Sequence, residues 1–232
     1  MRKATVLLPV AVLVVAAATV SLPRHWYAIA WQTLTSPIAA PPAAAQNPFI
    51  LPDDWSEALI ASAESQIGET VSYDPAYVRM TFPGGDVPRS RGVCTDVAIR
   101  ALRDSHGIDL QALVNRDMRR AFGSYPSKWG LSRPDPNIDH RRVPNLQRYF
   151  EGLGVVLRVS NVASDYRPGD IVTWKLPGNL DHIGIVTHRR SRDGARPLVV
   201  HNIGAGTRLQ DMLFDYTITG HYRLDAEMFG SR

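Results

Sequence analysis

Cysteine is nearly absent from this chain: there is one in 232 residues. A single cysteine cannot close an internal bridge, so no disulfide framework holds the fold. Also missing are a phosphate-cradling Gly-rich loop ahead of a helix and any interleaving of basic with aromatic residues. Net charge is only +4, from 26 Lys and Arg against 22 Asp and Glu. So mild an excess suits work near an anionic surface or polymer, but it gives no reason to expect nucleic acid as a partner. No helical pair of histidines at ligand spacing and no acidic third ligand stands out, so neither a metal nor another cofactor is expected. No internal repeat is visible, and no pattern sets an oligomeric state.

What is present is apolar material, 44% of residues against 21% charged, enough for one globular domain of ordinary size plus a tail. The tail comes first. Met1-Arg2-Lys3 and the almost wholly apolar run Ala4 to Val20 read as a signal peptide or N-terminal membrane anchor over 1–22. Pro9 interrupts the run, and both Ala16-Ala17-Ala18 and Ala43-Ala44-Ala45 offer small residues to a peptidase. Hydropathy therefore does not separate cleavage from anchoring. A Pro/Ala-rich linker follows over 23–51, with Trp26, Tyr27 and Trp31 suited to a membrane interface. The folded domain is expected over 52–232, exported to the periplasm or cell envelope and touching a membrane only through the first segment.

Export sharpens the meaning of the one thiol. Cysteines in oxidising compartments usually come in pairs, so a solitary one is a liability unless it is buried or used. Gly92-Val93-Cys94-Thr95-Asp96 opens an apolar pattern at helical spacing (Val97, Ala98, Ala101, Leu102), and Gly107 stands where a left-handed stop belongs. Gly84, Gly85, Pro88 and Gly92 make the approach a loop. Cys94 thus falls at or next to a helix N-terminus, where unpaired N–H groups and the macrodipole favour an anion and lower a thiol's pKa. A small buried hydrophobe is the other reading of the same residue.

Around it the order of elements is legible. Asp53-Asp54 can cap a helix with Trp55, Ala58, Leu59 and Ile67 as its stripe, ending at Gly68, and Val71 to Arg91 reads as loop. Asp109 caps a further helix through Phe122, and Tyr125 to Pro136, broken by three prolines, is a surface loop. Pro144 opens a short helix closed by Gly152 or Gly154. Then Val155 to Val159, Asp170 to Trp174, His182 to Thr187, Pro197 to Ile203 and Thr217 to Arg223 have strand composition between Gly, Pro and Asp turns. Helices first and antiparallel strands afterwards is an α+β arrangement.

A nucleophilic thiol needs a base within hydrogen-bond reach and a third group to orient that base. Of seven histidines, His25 lies in the tail and His106 at the far end of the cysteine's own helix. His140, in Asp139-His140-Arg141-Arg142, and His188, beside Arg189 and Arg190, read as solvated surface. His182, His201 and His221 fall in or at the start of strands. His182 shares a face with Gly184 and Val186, and Gly184 leaves the space that an approaching helix end needs. His201 can be Nδ1 partner to an imidazole on the neighbouring strand if the two strands pair through the turn Arg189 to Arg196. Asn202 can do the same only if the register differs by one.

Taken in order, Tyr77, Pro83-Gly84-Gly85, Cys94 opening a helix, Arg167-Pro168-Gly169-Asp170-Ile171-Val172, His182-Ile183-Gly184-Ile185-Val186 and Val200-His201 resemble the NlpC/P60 branch of papain-like cysteine peptidases. Over roughly residues 52 to 225 the chain is more closely similar to the bacterial DUF1287 family, which has runs much like Gly-Val-Cys-Thr-Asp, His-Ile-Gly-Ile-Val and Val-Val-His-Asn-Ile-Gly. The resemblance implies a papain-like, NlpC/P60-type α+β fold with N-terminal helices packed on an antiparallel sheet. It also implies an exported cysteine hydrolase, an endopeptidase or amidase, that cleaves amide bonds in peptidoglycan peptides. By position, it makes Cys94 the nucleophile, His182 the general base and then acid, and His201 the residue that orients His182. The Cys94 N–H would form part of the oxyanion hole, with the Tyr77 hydroxyl as second donor, Tyr73 as its rival and Asn202 as a further polar candidate. A thiolate–imidazolium pair between Cys94 and His182 is the expected resting state. Val93 and Thr95 stand where typical clan members carry Asp and Ser, and the stretch between Cys94 and His182, with its Arg/Pro-rich Arg133 to Pro144, is longer. Arg141, Arg142 and Lys128 either grip carboxylates of wall peptides or form a solvated face. A catalytically inactive wall-binding module and a thiol-dependent acyltransferase are the rival functions.

Overall fold

The first helix, α1 (Asp54–Ser65), starts where Asp53 accepts the Ser56 N–H in its side chain at 2.7 Å. The computed structural model describes residues 53–230 from this cap onward; the segments read as leader and linker, 1–22 and 23–51, lie outside them. Among the described residues no helix is long and apolar enough to cross a membrane. The buried face of α1 is Leu59, Ile60 and Ala63, and Ile67 is exposed beyond the helix end.

Two residue pairs within the stretch read as loop, β1 (Ser72–Tyr73) and β2 (Arg91–Gly92), run parallel and deliver the chain to α2 (Cys94–His106). Every residue of α2 from Cys94 to Leu102 is buried, so this helix is covered on all sides. It stops at Gly107, whose φ of 67° is the left-handed conformation that glycine adopts freely. Asp109 then caps α3 (Leu110–Ala121) by accepting the N–H groups of Gln111 and Ala112, and α4 (Val143–Leu153) follows the proline-broken loop. Of the two glycines available as its stop, Gly154 takes the left-handed position.

The sheet comes after the helices. Its strands are β3 (Ile171–Leu176), β4 (Leu180–Arg190), β5 (Pro197–Asn202), β6 (Thr207–Gln210) and β7 (Thr217–Tyr222), in the spatial order β6-β5-β4-β3-β7. All neighbours are antiparallel. A short helix, α5 (Glu227–Gly230), ends the described chain. The architecture is therefore α+β. Val155 to Val159 is not a full strand: it contributes a single bridge, Val156 to Tyr222. Strand β6, in contrast, was not visible in the pattern, because Leu209 is the only apolar residue among its four.

Both faces of the sheet are covered. Ile171, Ile183, Ile185, Val200 and Tyr222 pack with Val97, Ala98 and Leu102 of α2 and with residues of the other helices. Val172, Trp174, Val186 and Val199 pack on the opposite side against Tyr166, Met212 and Leu213. Double coverage explains why β4 reads as a nearly continuous apolar run instead of an alternating one. Each such side chain contributes about 1.5–3 kcal/mol on burial, so α2 is held firmly against β4 and β5 and its first turn is fixed in space.

Candidate active site

Three local devices hold the start of α2. Asp96, at the third helical position, accepts the Val93 N–H at 2.6 Å. Its carboxylate is gripped in turn by the fork of Arg141, Nε to Oδ1 at 2.9 Å and Nη2 to Oδ2 at 2.8 Å, with both side chains almost fully buried. From the sheet, Asn202 Nδ2 donates to the Gly92 carbonyl at 3.1 Å. A Cβ on Gly92 would lie 2.9 Å from Asp96 Oδ2 and 3.2 Å from an Arg100 nitrogen, so glycine is required for this close approach.

These constraints point the Cys94 sulfur at β4. The backbone N–H dipoles of Ile183, Thr95 and Cys94 itself lie close enough to favour its anion. Strand pairing explains the vacancy the sulfur fills: β4 pairs with β5 from Gly184 opposite His201 onward, and Ile183 lies just beyond that ladder. The Tyr73 hydroxyl meets the sulfur from β1. Sulfur and tyrosine line a cleft of about 240 Å³, whose wall also carries Lys128, Trp129, Arg141, Arg142 and Asp181.

The two strand histidines meet as the register requires. His182 Nε2 and His201 Nδ1 are 2.9 Å apart, their rings nearly perpendicular. His182 also lies against the Trp174 ring, its cross-strand neighbour. Since Trp174 and Val186 belong to the far face of the sheet, the His182, Gly184, Val186 face is the one α2 does not cover. The space left by Gly184 is used within the sheet, where an added Cβ would be 2.6 Å from Val199 and 3.1 Å from His201 Cβ. The expectation that a helix end uses this space is thus corrected. The cysteine instead reaches β4 at the strand edge, on the backbone of the residue next to His182. Among the described residues Cys94 forms no hydrogen bond with His182, whose ring bonds to His201 through Nε2.

Burial decides the charge states. It pushes the Cys94 thiol from its ordinary 9.0 up to about 12, opposed by the three N–H groups and assisted by Asp96. Burial also pulls His182 down to about 3, with the His201 charge acting in the same direction, and lowers His201 to about 4. A helix terminus is worth about 0.3–1 kcal/mol, less than one pKa unit, and cannot offset a rise of this size. Burial thus favours a neutral thiol and a neutral imidazole, against the expected thiolate–imidazolium. The Tyr73 hydroxyl is held protonated, raised to about 12 chiefly by burial, and so remains a donor.

The other residues singled out in the sequence fall as follows. Tyr77 is exposed and away from the sulfur, its hydroxyl donating to Asp135 at 3.1 Å and receiving from Asn137 at 3.0 Å. Asn202 is buried and holds the Gly92 carbonyl, so it steadies the approach to α2 without lining the cleft. His140 and Arg141 are buried, not solvated, and burial draws His140 down to about 4. Sequence reasoning missed Trp129 and Asp181 as cleft residues and Asp96 as the anchor of Arg141. Asp96 did carry a signal, an acidic residue in the first turn of a helix. Among the described residues no group of three His, Cys, Asp or Glu is placed to hold a metal ion.

Two comparisons bear on this arrangement. Residues 60–224 match a family model described as "Domain of unknown function (DUF1287)". A protein of Escherichia coli (strain K12), "Uncharacterized protein YijF", is 52% identical over 191 residues, covering 82% of this chain and 90% of that protein. Neither description carries an activity.

Proposed function

The chain belongs to the DUF1287 family, and from that premise and the surroundings of Cys94 we propose that it is an exported cysteine hydrolase of amide bonds in peptidoglycan peptides. The observation that carries the reading is the position of the sulfur. It lies at the first turn of a buried helix, in a cleft, on the N–H of the residue that follows His182. In the tautomer in which His182 Nε2 donates to His201 Nδ1, the ring's Nδ1 is the lone-pair nitrogen that a nucleophile's base requires. The order of motifs supports a papain-like fold of the NlpC/P60 type, and the apolar N-terminus supports export.

This mechanism requires the strand edge at His182 to shift as substrate enters, bringing the ring from the face that α2 does not cover to the sulfur's side. The thiol proton passes to Nδ1 while sulfur bonds to the amide carbonyl carbon. The displaced electron pair moves to the carbonyl oxygen, which faces the Cys94 N–H and the Tyr73 hydroxyl. Collapse of this intermediate breaks the C–N bond, and the amine leaves with the proton from His182. Water then gives a proton to His182 and its oxygen to the thioester, the C–S bond breaks, and sulfur recovers its proton. Because the resting pair is neutral, proton transfer accompanies attack and does not precede it. Cys94→Ala should abolish the release of peptides and free amines from purified wall fragments. Undiminished release from that variant would end the proposal.

One observation favours a second reading. The thiol is neutral, buried and not hydrogen-bonded to His182, as in a catalytically silent wall-binding module. That module would bind wall fragments equally well with and without Cys94 and release no amine under any condition.

A further inference from the structure

The wall of the Cys94 cleft holds an unused donor. Arg141 spends one edge of its guanidinium on Asp96, while its Nη1, on the other side, is buried with no hydrogen-bond partner. The residue is 6% exposed and lines the cleft. A buried donor left unmade is costly, the more so when it is charged, and this one is not relieved by any described residue. Beside it Trp129 lies between two cations, with Arg142 4.2 Å and Lys128 4.9 Å from its ring centroid.

The carboxylates nearby are already answered. Asp181 pairs with Lys128 and with Lys175, Asp96 with Arg141, and Asp139 with Arg142. Each lining cation thus has a carboxylate partner, and with Lys175 the group holds four cations, Lys128, Lys175, Arg141 and Arg142, against the three acids Asp181, Asp96 and Asp139, a small positive excess. The rest of the wall is apolar, with Pro75, Ile138, Val143 and Pro144. At about 240 Å³ the cleft is smaller than ordinary ligand pockets of about 300–1,000 Å³, so it suits one residue rather than a long segment.

We infer that this cleft is a carboxylate-binding subsite: it selects an amide substrate with an acidic side chain or free carboxyl beside the bond presented to Cys94. Arg141 Nη1 donates to one carboxylate oxygen, Arg142 and Lys128 supply the surrounding positive field, and Trp129 with the proline and aliphatic surface takes the carbon stem. A planar fork fits carboxylate and phosphate alike. The apolar wall favours the former, since inorganic phosphate has no stem to bury.

The inference rests on the hydrolase reading only for the word substrate, and binding is therefore measured without chemistry. The full chain with Cys94→Ala is titrated with N-acetylglutamate, N-acetylglutamine and inorganic phosphate, followed by NMR shifts of the tryptophan indole N–H groups. N-acetylglutamate should bind saturably in the millimolar range or tighter, and roughly tenfold more tightly than its neutral amide. Arg142→Gln and Lys128→Gln should each weaken that binding several-fold. Arg141→Lys, which keeps a charge for Asp96 but loses Nη1, should weaken it tenfold or more. Thermal melts show whether each variant is folded, and if Arg141→Lys is not, the other two decide. Equal binding of glutamine and glutamate derivatives, a preference for phosphate, or no saturable binding overturns the inference. A chain that binds the carboxylate but, with Cys94 intact, cleaves nothing would refute the hydrolase proposal and leave this one standing.

Discussion

Two buried histidine clusters sit at different places on the same sheet, and they are built to opposite ends. Around His221 every polar contact is answered. Its Nε2 meets Asp170 at 2.7 Å and its Nδ1 the Arg158 carbonyl at 3.3 Å, while Arg223 forks onto both oxygens of Asp170 and Tyr166 stacks on the imidazole. Around Cys94, α2 and the His182–His201 pair the polar atoms are not all paired: Arg141 Nη1, His140 Nδ1 and His201 Nε2 are buried without partners. A satisfied network specifies and rigidifies, whereas an incomplete one lowers stability and persists where something else requires it. The difference argues that the His221 cluster is a clamp between β3, β7 and the preceding turn, and that the Cys94 cluster is the working surface.

Substitutions break this comparison in opposite directions. If the proposed hydrolase reading holds, Cys94→Ala should lower hydrolysis by about 10⁴-fold or more, since the proposed nucleophile would have no substitute, and leave the urea midpoint little changed. Asp170→Ala should do the reverse. It strips a fully buried carboxylate from His221 and Arg223, and removing one member of such a network costs about 3 kcal/mol or more. Equilibrium urea unfolding should show that loss, with kcat per folded molecule unchanged. If Asp170→Ala instead spared stability and lost activity, the roles assigned to the two clusters would be interchanged.

A smaller contrast separates the two tyrosines. Tyr73 reaches the sulfur and Tyr77 is turned to Asp135 and Asn137. Removing an oxyanion donor typically lowers kcat by about 10²–10³-fold. A hydroxyl that shares the task with a backbone N–H should give the lower part of that range for Tyr73→Phe. Tyr77→Phe should change kcat less than about twofold, since that hydroxyl makes no contact at the sulfur. Comparable losses in both variants would remove Tyr73 from the site.

Local chemistry made much of the framework readable. Asp53 and Asp109 cap helices, and Gly107 and Gly154 stop them, because a cap is settled within a few residues. The meeting of His182 with His201 followed from strand register, a consequence of a short turn between neighbouring strands. The fate of Asp139-His140-Arg141 was not readable. A charge-rich run normally faces water, and what buries this one is Asp96, 45 positions earlier in the chain. The neutral thiol was hidden for the same reason: a helix start can be read locally, but the desolvation that overrides it comes from β4 and β1 closing over the sulfur. Which sheet face α2 covers also depends on packing, which a strand's alternation does not specify.

Acid should expose the same asymmetry as a modest slope. His140, His182 and His201 are held at about 4, 3 and 4 by burial, and each is neutral in the folded protein at ordinary pH. A histidine depressed in this way takes its proton more readily after unfolding, so the unfolded chain binds more protons as pH falls. Stability is therefore full above about 6.5, the ordinary histidine value, and is lost progressively toward about 4. Each group contributes up to about 1.4 kcal/mol per pH unit over that window. Around His140, Asp96 and Asp109 favour the proton while Arg141 and Arg103 oppose it, and burial outweighs all four. His140→Gln, neutral at every pH, should flatten the slope of unfolding free energy between pH 6 and 4.5 by roughly a third if the three act alike. The cluster around Cys94 would then be the acid-sensitive part of the fold. A slope untouched by that substitution would mean that His140 is solvated, and with it the buried anchoring of Arg141 and α2 would have to be abandoned.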